Sequence, residues 1–155
     1  MRMFFAILIL INLIFFSIAN IVQANTIDNK DKIAELVDYF FAAARLGDNE
    51  IINRFLDAGF PINQSNEQSY TALMVAAYNG QYETTALLLQ RGANACLQDK
   101  RGNTAIMGAL IKAEVRITRL LYNQSCDESL TNKSGLTVEA FAQYWGQSDA
   151  LTNNE

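Results

Sequence analysis

Residue types that carry out catalysis are few in this chain and are not grouped. The sequence of 155 residues contains no histidine, so Ser-His and Cys-His nucleophile pairs are excluded. The two cysteines, Cys96 and Cys126, stand alone without a C-x-x-C motif. Carboxylates such as Asp99, Glu114 and Asp127 fall at turns and helix ends, where capping accounts for them. The sequence therefore predicts no catalytic residues, no metal site and no cofactor.

A spacing of 33 residues recurs along the chain and directs attention to a surface instead of a pocket. Gly59–Asn63 aligns with Gly92–Cys96, and Thr71–Met74 aligns with Thr104–Met107 and then Thr137–Ala140. A fixed period of this length is typical of stacked repeat proteins, whose units bury their apolar faces against one another. Proteins of this kind commonly bind partners on an extended face.

Each repeat has the pattern of helix, tight turn, helix and loop. Apolar residues spaced three and four apart predict the helices, and Asp48 and Thr71 are placed to cap two of them. Ala113 and Ser125 stand at positions where earlier repeats have glycine, so we expect altered or strained turns in the third repeat. The predicted helices are 32–44, one around 51–56, 72–78, 82–90, 104–111, 114–122 and 137–144, with only a stub after Gly146.

These residues resemble the ankyrin repeat family, whose pattern is roughly D-x-x-G-x-T-P-L-H-x-A-A followed by a leucine-rich helix and G-A-D-V-N. The matching segments are Asp99–Ala109, Thr71–Gly80 and Leu87–Ala95. The resemblance implies an all-α ankyrin-repeat solenoid of about four repeats with degenerate terminal repeats. The family's histidine is replaced by Met74 and Met107, apolar residues suited to an interface between repeats.

The resemblance covers about residues 37–150, with repeats near 37–66, 70–99, 103–132 and 136–150. Residues 25–36 are expected to form a leader and the start of the first helix, and 151–155 a C-terminal tail. The first 24 residues differ in composition. Arg2 precedes an apolar run from Met3 to Ile18, and Val22 and Ala24 supply small residues before a cleavage site.

We therefore expect a secretory signal peptide over residues 1–24, cleaved after Ala24 or, less favourably, after Ala19. The alternative is a retained membrane anchor, although about 16 apolar residues fall short of the roughly 20 that a spanning helix needs. Cleavage would change the net charge from −4 to −5 through the loss of Arg2. Mild acidity without Lys/Arg clusters argues against nucleic acid, and no further membrane segment is present in the mature chain.

An oxidising compartment raises the question of a Cys96–Cys126 disulfide. The repeat register aligns Cys126 with Ala93 and Cys96 with Ser129, so the two thiols occupy different columns of adjacent repeats. Bridging requires Cα atoms within about 7 Å. We therefore expect two unpaired cysteines and regard a bridge as the less favoured alternative.

Ankyrin-type stacks bind proteins through loop tips and exposed positions of the first helix of each repeat. By register, one helix column is Arg45, Tyr78, Ile111 and Tyr144. Aromatic residues and arginine in such columns are typical of binding hot spots. For Trp145 we favour packing over the incomplete last repeat, because large aromatic residues are highly buried on average. The predicted partner-binding residues are Glu67, Gln68, Tyr70, Tyr78, Asn79, Lys100, Arg101, Asn103, Ile111, Lys112, Tyr144 and Trp145.

A signal peptide before a short ankyrin stack also resembles small periplasmic ankyrin repeat proteins of Gram-negative bacteria, some of which are linked to catalase. We expect a monomeric, non-catalytic adaptor in the periplasm whose partner is another protein, with a periplasmic catalase as one candidate. A secreted effector or inhibitor acting outside the producing cell is the alternative. A membrane-tethered stack is a third reading if Met3–Ile18 is retained.

Overall fold

The computed structural model describes residues 32–152, so the predicted signal peptide, residues 25–31 and the last three residues lie outside the described part. Within this range the secondary structure is helical, and no helix is long and apolar enough to cross a bilayer. The elements are α1 (32–46), α2 (Asn49–Asp57), α3 (Ala72–Tyr78), α4 (Tyr82–Gln90), α5 (Ala105–Ile111), α6 (Val115–Tyr122), α7 (Val138–Tyr144) and a 3-10 helix (Ser148–Leu151).

Side-chain caps begin α2, α3 and α7, and two of them are the Asp48 and Thr71 caps that the sequence predicts. The Asp48 carboxylate accepts a hydrogen bond from the Ile51 N–H at the start of α2 (3.0 Å). The Thr71 hydroxyl accepts one from the Met74 N–H at the start of α3 (3.3 Å), and Thr137 does the same at the start of α7. Each bond satisfies one of the backbone donors that a helix leaves open in its first turn.

The core lies between successive helix pairs, and the prediction of an all-α solenoid is confirmed. Helix α3 packs against α4 and α5, and residues Ala72–Ala77 are all buried. Met74 and Met107 are also buried, in agreement with their predicted role between repeats. Of the leucines in the second helices, Leu88 and Leu121 are buried, while their neighbours are half-buried. The stack therefore buries its apolar faces between repeats, as its period implies.

The turn inside each repeat needs one residue with left-handed backbone geometry. Gly47, Gly80 and Ala113 occupy this position with φ of 78°, 73° and 56°. The same backbone bond closes each turn: the N–H of Asp48, Gln81 or Glu114 donates to the carbonyl of Ala43, Ala76 or Ala109. The third repeat thus keeps the turn of the others. It does so with a Cβ in a conformation that costs about 1–2 kcal/mol.

Replacing Ala113 with glycine is expected to raise the free energy of unfolding by about 1 kcal/mol, because the left-handed strain is removed. Urea denaturation followed by circular dichroism measures the change. Ala58→Gly is the matched control, since Ala58 is also exposed but has φ of −77°. The free energy of unfolding of this control should fall by about 0.5–1 kcal/mol. Equal losses in both variants would show that Ala113 carries no strain.

The expectation of unpaired cysteines is wrong: Cys96 and Cys126 form a disulfide, with Cα atoms 5.5 Å apart. The error comes from assuming that the loop after α6 follows the repeat register. After α4, Gly92 takes φ of 92° and the Ala93 N–H donates to the Leu88 carbonyl. After α6, Ser125 does not adopt that left-handed conformation, and the Cys126 N–H donates to the Gln124 carbonyl instead. The altered loop brings Cys126 out of its column and next to Cys96.

Candidate functional site

A groove of about 560 Å³ opens on the side of the stack formed by the first helices and the loop tips. Residues from α1, α3 and α5 line it, together with two loop tips and the C-terminal end of α7. Most of the predicted partner-binding residues meet here. They are Tyr70, Tyr78, Asn79, Arg101, Asn103, Ile111 and Trp145.

The other predicted residues do not line the groove. Glu67, Gln68 and Lys100 are exposed on the loop tips. Lys112 lies at the rim, where its Nζ stands 5.0 Å above the centre of the Tyr78 ring. This geometry is a cation–π contact. Tyr144 is 75% exposed, and its ring packs nearly perpendicular to that of Trp145, with ring centroids 5.9 Å apart.

Trp145 packs on the last repeat only in part, whereas we expected it to cover that repeat: 45% of its surface is exposed. It is the residue that ends α7, and its ring rests against Phe141 at a centroid distance of 6.1 Å. The 3-10 helix takes the covering role instead, because Ala150 is buried and Leu151 packs on the core. Trp145 is therefore left partly exposed at the groove.

Arg101 is held in place by two side chains that also line the groove. Its Nη2 donates to the Tyr70 hydroxyl oxygen (2.6 Å), and its Nε lies 3.8 Å from an Asp99 carboxylate oxygen. The Tyr70 contact and then the Asp99 charge raise the pKa of Arg101. Asp99 is buried and accepts hydrogen bonds from the N–H groups of Arg101 and Asn103 (2.8 Å each). The guanidinium is therefore charged and restricted in orientation.

The loop tips are joined by backbone hydrogen bonds that repeat along the stack. The Lys100 N–H donates to the Gln68 carbonyl (3.1 Å), and the Lys133 N–H donates to the Arg101 carbonyl (2.9 Å). The side-chain amide of Asn132 also donates to the Asn103 side-chain oxygen (3.0 Å). These bonds set the spacing of the tips before any partner binds.

Sequence reasoning missed several lining residues. Arg45 belongs to a predicted column, but we did not place it in the site. Gly108 is aligned by register with Val75 and Phe141, and its lack of a side chain opens the groove beside Tyr78. A glycine within a helix that is otherwise well formed was the available signal.

A second groove of about 390 Å³ lies beside the disulfide. It is acidic, with Asp127, Glu128 and Glu139 among its lining residues. Hydrogen bonds from the Ser129 hydroxyl and then from its N–H lower the pKa of Asp127. Across residues 32–152, no group of three or more histidine, cysteine or acidic residues is arranged to hold a metal ion.

Comparison with known families agrees with this architecture. A family model described as ankyrin repeats (3 copies) matches residues 17–99 and, in an overlapping match, residues 39–132. The chain belongs to the ankyrin repeat family. Ankyrin repeats are protein–protein interaction modules and are generally not catalytic. This ankyrin repeat protein therefore has the architecture of a binding module.

One curated relative is Protein HOS4 of Saccharomyces cerevisiae. It is 43% identical to this ankyrin repeat protein over 64 residues, which cover 41% of the chain. The same alignment covers 6% of the yeast protein. The alignment thus spans only a small part of the yeast protein's length.

Proposed function

We propose that this ankyrin repeat protein is an exported, non-catalytic adaptor that binds another protein in the periplasm. The observation that carries the proposal is the groove of about 560 Å³, where Tyr78, Arg101, Ile111 and Trp145 converge. Tyrosine, tryptophan and arginine are the residues that contribute most often to binding hot spots. The groove thus has the composition of a protein-binding surface.

Two features support export. The N-terminal sequence has the order of charge, apolar run and small residues that signal peptidases recognise. The Cys96–Cys126 disulfide also fits an oxidising compartment, since structural disulfides are rare in reducing ones. A periplasmic catalase stays a candidate partner through the resemblance to small periplasmic ankyrin proteins.

Binding would need little rearrangement of the stack. Backbone hydrogen bonds fix the loop tips, and the Tyr70 and Asp99 contacts orient Arg101. A surface that is ordered before binding avoids much of the entropy cost of association. The groove would act as a rigid platform on which a partner segment is immobilised.

The test is affinity capture by the tagged protein from periplasmic extract of its own host, read by mass spectrometry. Tyr78→Ala/Trp145→Ala is expected to lose the captured client, with at least a tenfold drop in yield. Tyr122→Ala is the matched control, because Tyr122 is 42% exposed against 44% for Tyr78 but lies outside this groove. Capture that is unchanged in the double variant, or lost equally in the control, would contradict the proposed face.

Localisation is tested on the same preparation by fractionation and intact mass. A chain starting at Asn25 and recovered from the periplasmic fraction agrees with the proposal. Recovery from the culture medium would favour the alternative of a secreted effector. An uncleaved chain in the membrane fraction would favour a tethered stack.

A further inference from the structure

Cationic side chains surround the groove, while the carboxylate inside it is already engaged. Arg45 and Arg101 line the groove, and Lys112 stands at its rim above Tyr78. Asp99 is the one acidic residue among the lining residues, and it is buried against the N–H groups of its own loop. The groove is thus positive, although the chain as a whole carries a net charge of −4.

The loop tips also carry more positive than negative side chains at these positions. Glu67 is on the first tip, whereas Lys100 with Arg101 and then Lys133 occupy the next two. Acidic residues instead line the second groove beside the disulfide. The two grooves therefore attract opposite charges, and a positive groove on an acidic protein favours an acidic ligand.

Arg101 has a donor edge left for a ligand. Its Nη2 is used by Tyr70 and its Nε faces Asp99, while Nη1 has no hydrogen-bond partner among residues 32–152. The side chain is 73% exposed. A guanidinium held on one side and open on the other is suited to a carboxylate, because charge-assisted hydrogen bonds to carboxylates are strong and directional.

The floor of the groove is apolar. Tyr78, Ile111, Val75 and Trp145 face it, and Gly108 leaves a space beside the Tyr78 ring. A Cβ on Gly108 would lie 3.8 Å from Tyr78, which is ordinary van der Waals contact. A methyl group on residue 108 would therefore fit without a clash, and it would reduce the space that a ligand side chain can occupy beside Tyr78.

We propose that the groove binds an acidic peptide segment of the partner through a central aromatic or branched aliphatic side chain. The apolar side chain occupies the space over Gly108, and a neighbouring carboxylate accepts a hydrogen bond from Arg101. The remaining acidic residues face Arg45 and Lys112. This inference rests on the proposed protein-binding function and adds the chemistry of the segment that is recognised.

The probe is a display library of random dodecapeptides, selected against the purified protein with its disulfide intact. Selected peptides are expected to be enriched in Asp and Glu around one Phe, Tyr, Trp, Leu or Ile. Trp145 is the single tryptophan of the chain, so its emission reports occupancy of the groove directly. Affinity should fall as ionic strength rises. Neutral or basic selected peptides, or no selection at all, would overturn the inference.

Two variants test the residues that carry the argument. Arg101→Gln should weaken binding of the selected peptides about tenfold. Arg116→Gln should leave their binding unchanged, because the Arg116 guanidinium lies over Tyr82 on another face. Gly108→Ala should also weaken binding about tenfold while its melting temperature stays equal or rises, because alanine favours the helix. Peptide binding that is unaffected by both Arg101→Gln and Gly108→Ala would place the site elsewhere.

Failure of this inference can be told apart from failure of the proposed function. A client that is captured through Tyr78 and Trp145 but lacks any acidic segment at the contact would refute only the peptide chemistry. Acidic peptides that bind as expected, with no client captured, would refute only the adaptor role. The two experiments share no reagent other than the protein itself.

Discussion

Removing the Cys96–Cys126 disulfide is expected to lower the free energy of unfolding by about 3–4 kcal/mol. The bridge joins residues 30 positions apart, and closing a loop of that length restricts the unfolded chain by about this amount. Cys96→Ala/Cys126→Ala avoids leaving a reactive thiol. Urea unfolding of the double variant and of the unmodified protein, each with and without dithiothreitol, measures the effect.

The reductant provides the internal control. Dithiothreitol should destabilise the unmodified protein and leave the double variant unchanged. The bridge ties the loop after α4 to the loop after α6, next to a fourth repeat that ends in a short 3-10 helix. When the bridge is absent, we therefore expect the rate of amide hydrogen exchange to rise first in the C-terminal repeats. A loss below about 1 kcal/mol would mean that loop closure contributes little here.

Gly102→Ala is expected to lower the free energy of unfolding by about 3 kcal/mol. Gly102 has φ of +79°, which costs an alanine about 1–2 kcal/mol. A Cβ there would also lie 2.9 Å from the Asn132 Cα and the Lys133 nitrogen, both backbone atoms of the next loop tip. Backbone cannot move aside as a flexible side chain can, so the clash adds about 1–3 kcal/mol.

Gly135→Ala is the matched control, since Gly135 is the register equivalent of Gly102 on the following loop tip. Its φ is +76°, but nothing lies within 4 Å of an added Cβ. Its free energy of unfolding, by the same urea measurement, should therefore fall only by the cost of left-handed backbone geometry, about 1–2 kcal/mol. Similar losses in the two variants would show that the loop tips can separate without cost.

Gly102 also links stability to the groove, because it lies between Arg101 and Asn103. A shift of this tip would weaken the bond from the Lys133 N–H to the Arg101 carbonyl. We expect Gly102→Ala to reduce peptide affinity as well as stability, whereas Gly135→Ala should reduce stability alone.

The sequence by itself determined the fold. The 33-residue period, the glycine turns and the caps at Asp48 and Thr71 depend on local chemistry, which repeats wherever the residues repeat. The sequence also identified most residues of the groove, because equivalent positions of successive repeats line up in columns along the stack. Tyr78 and Ile111 could be placed on one face without coordinates.

Tertiary structure alone decided what happens where the period breaks. The register is interrupted at Ser125 and resumes by Asn132, and the loop between them takes a path that brings Cys126 to Cys96. The 3-10 helix covers the last repeat and leaves Trp145 open at the groove. Contacts between Arg101 and Tyr70 or between Gly102 and Asn132 cross from one repeat to the next. Such contacts depend on distances in space, which a column of aligned residues does not specify.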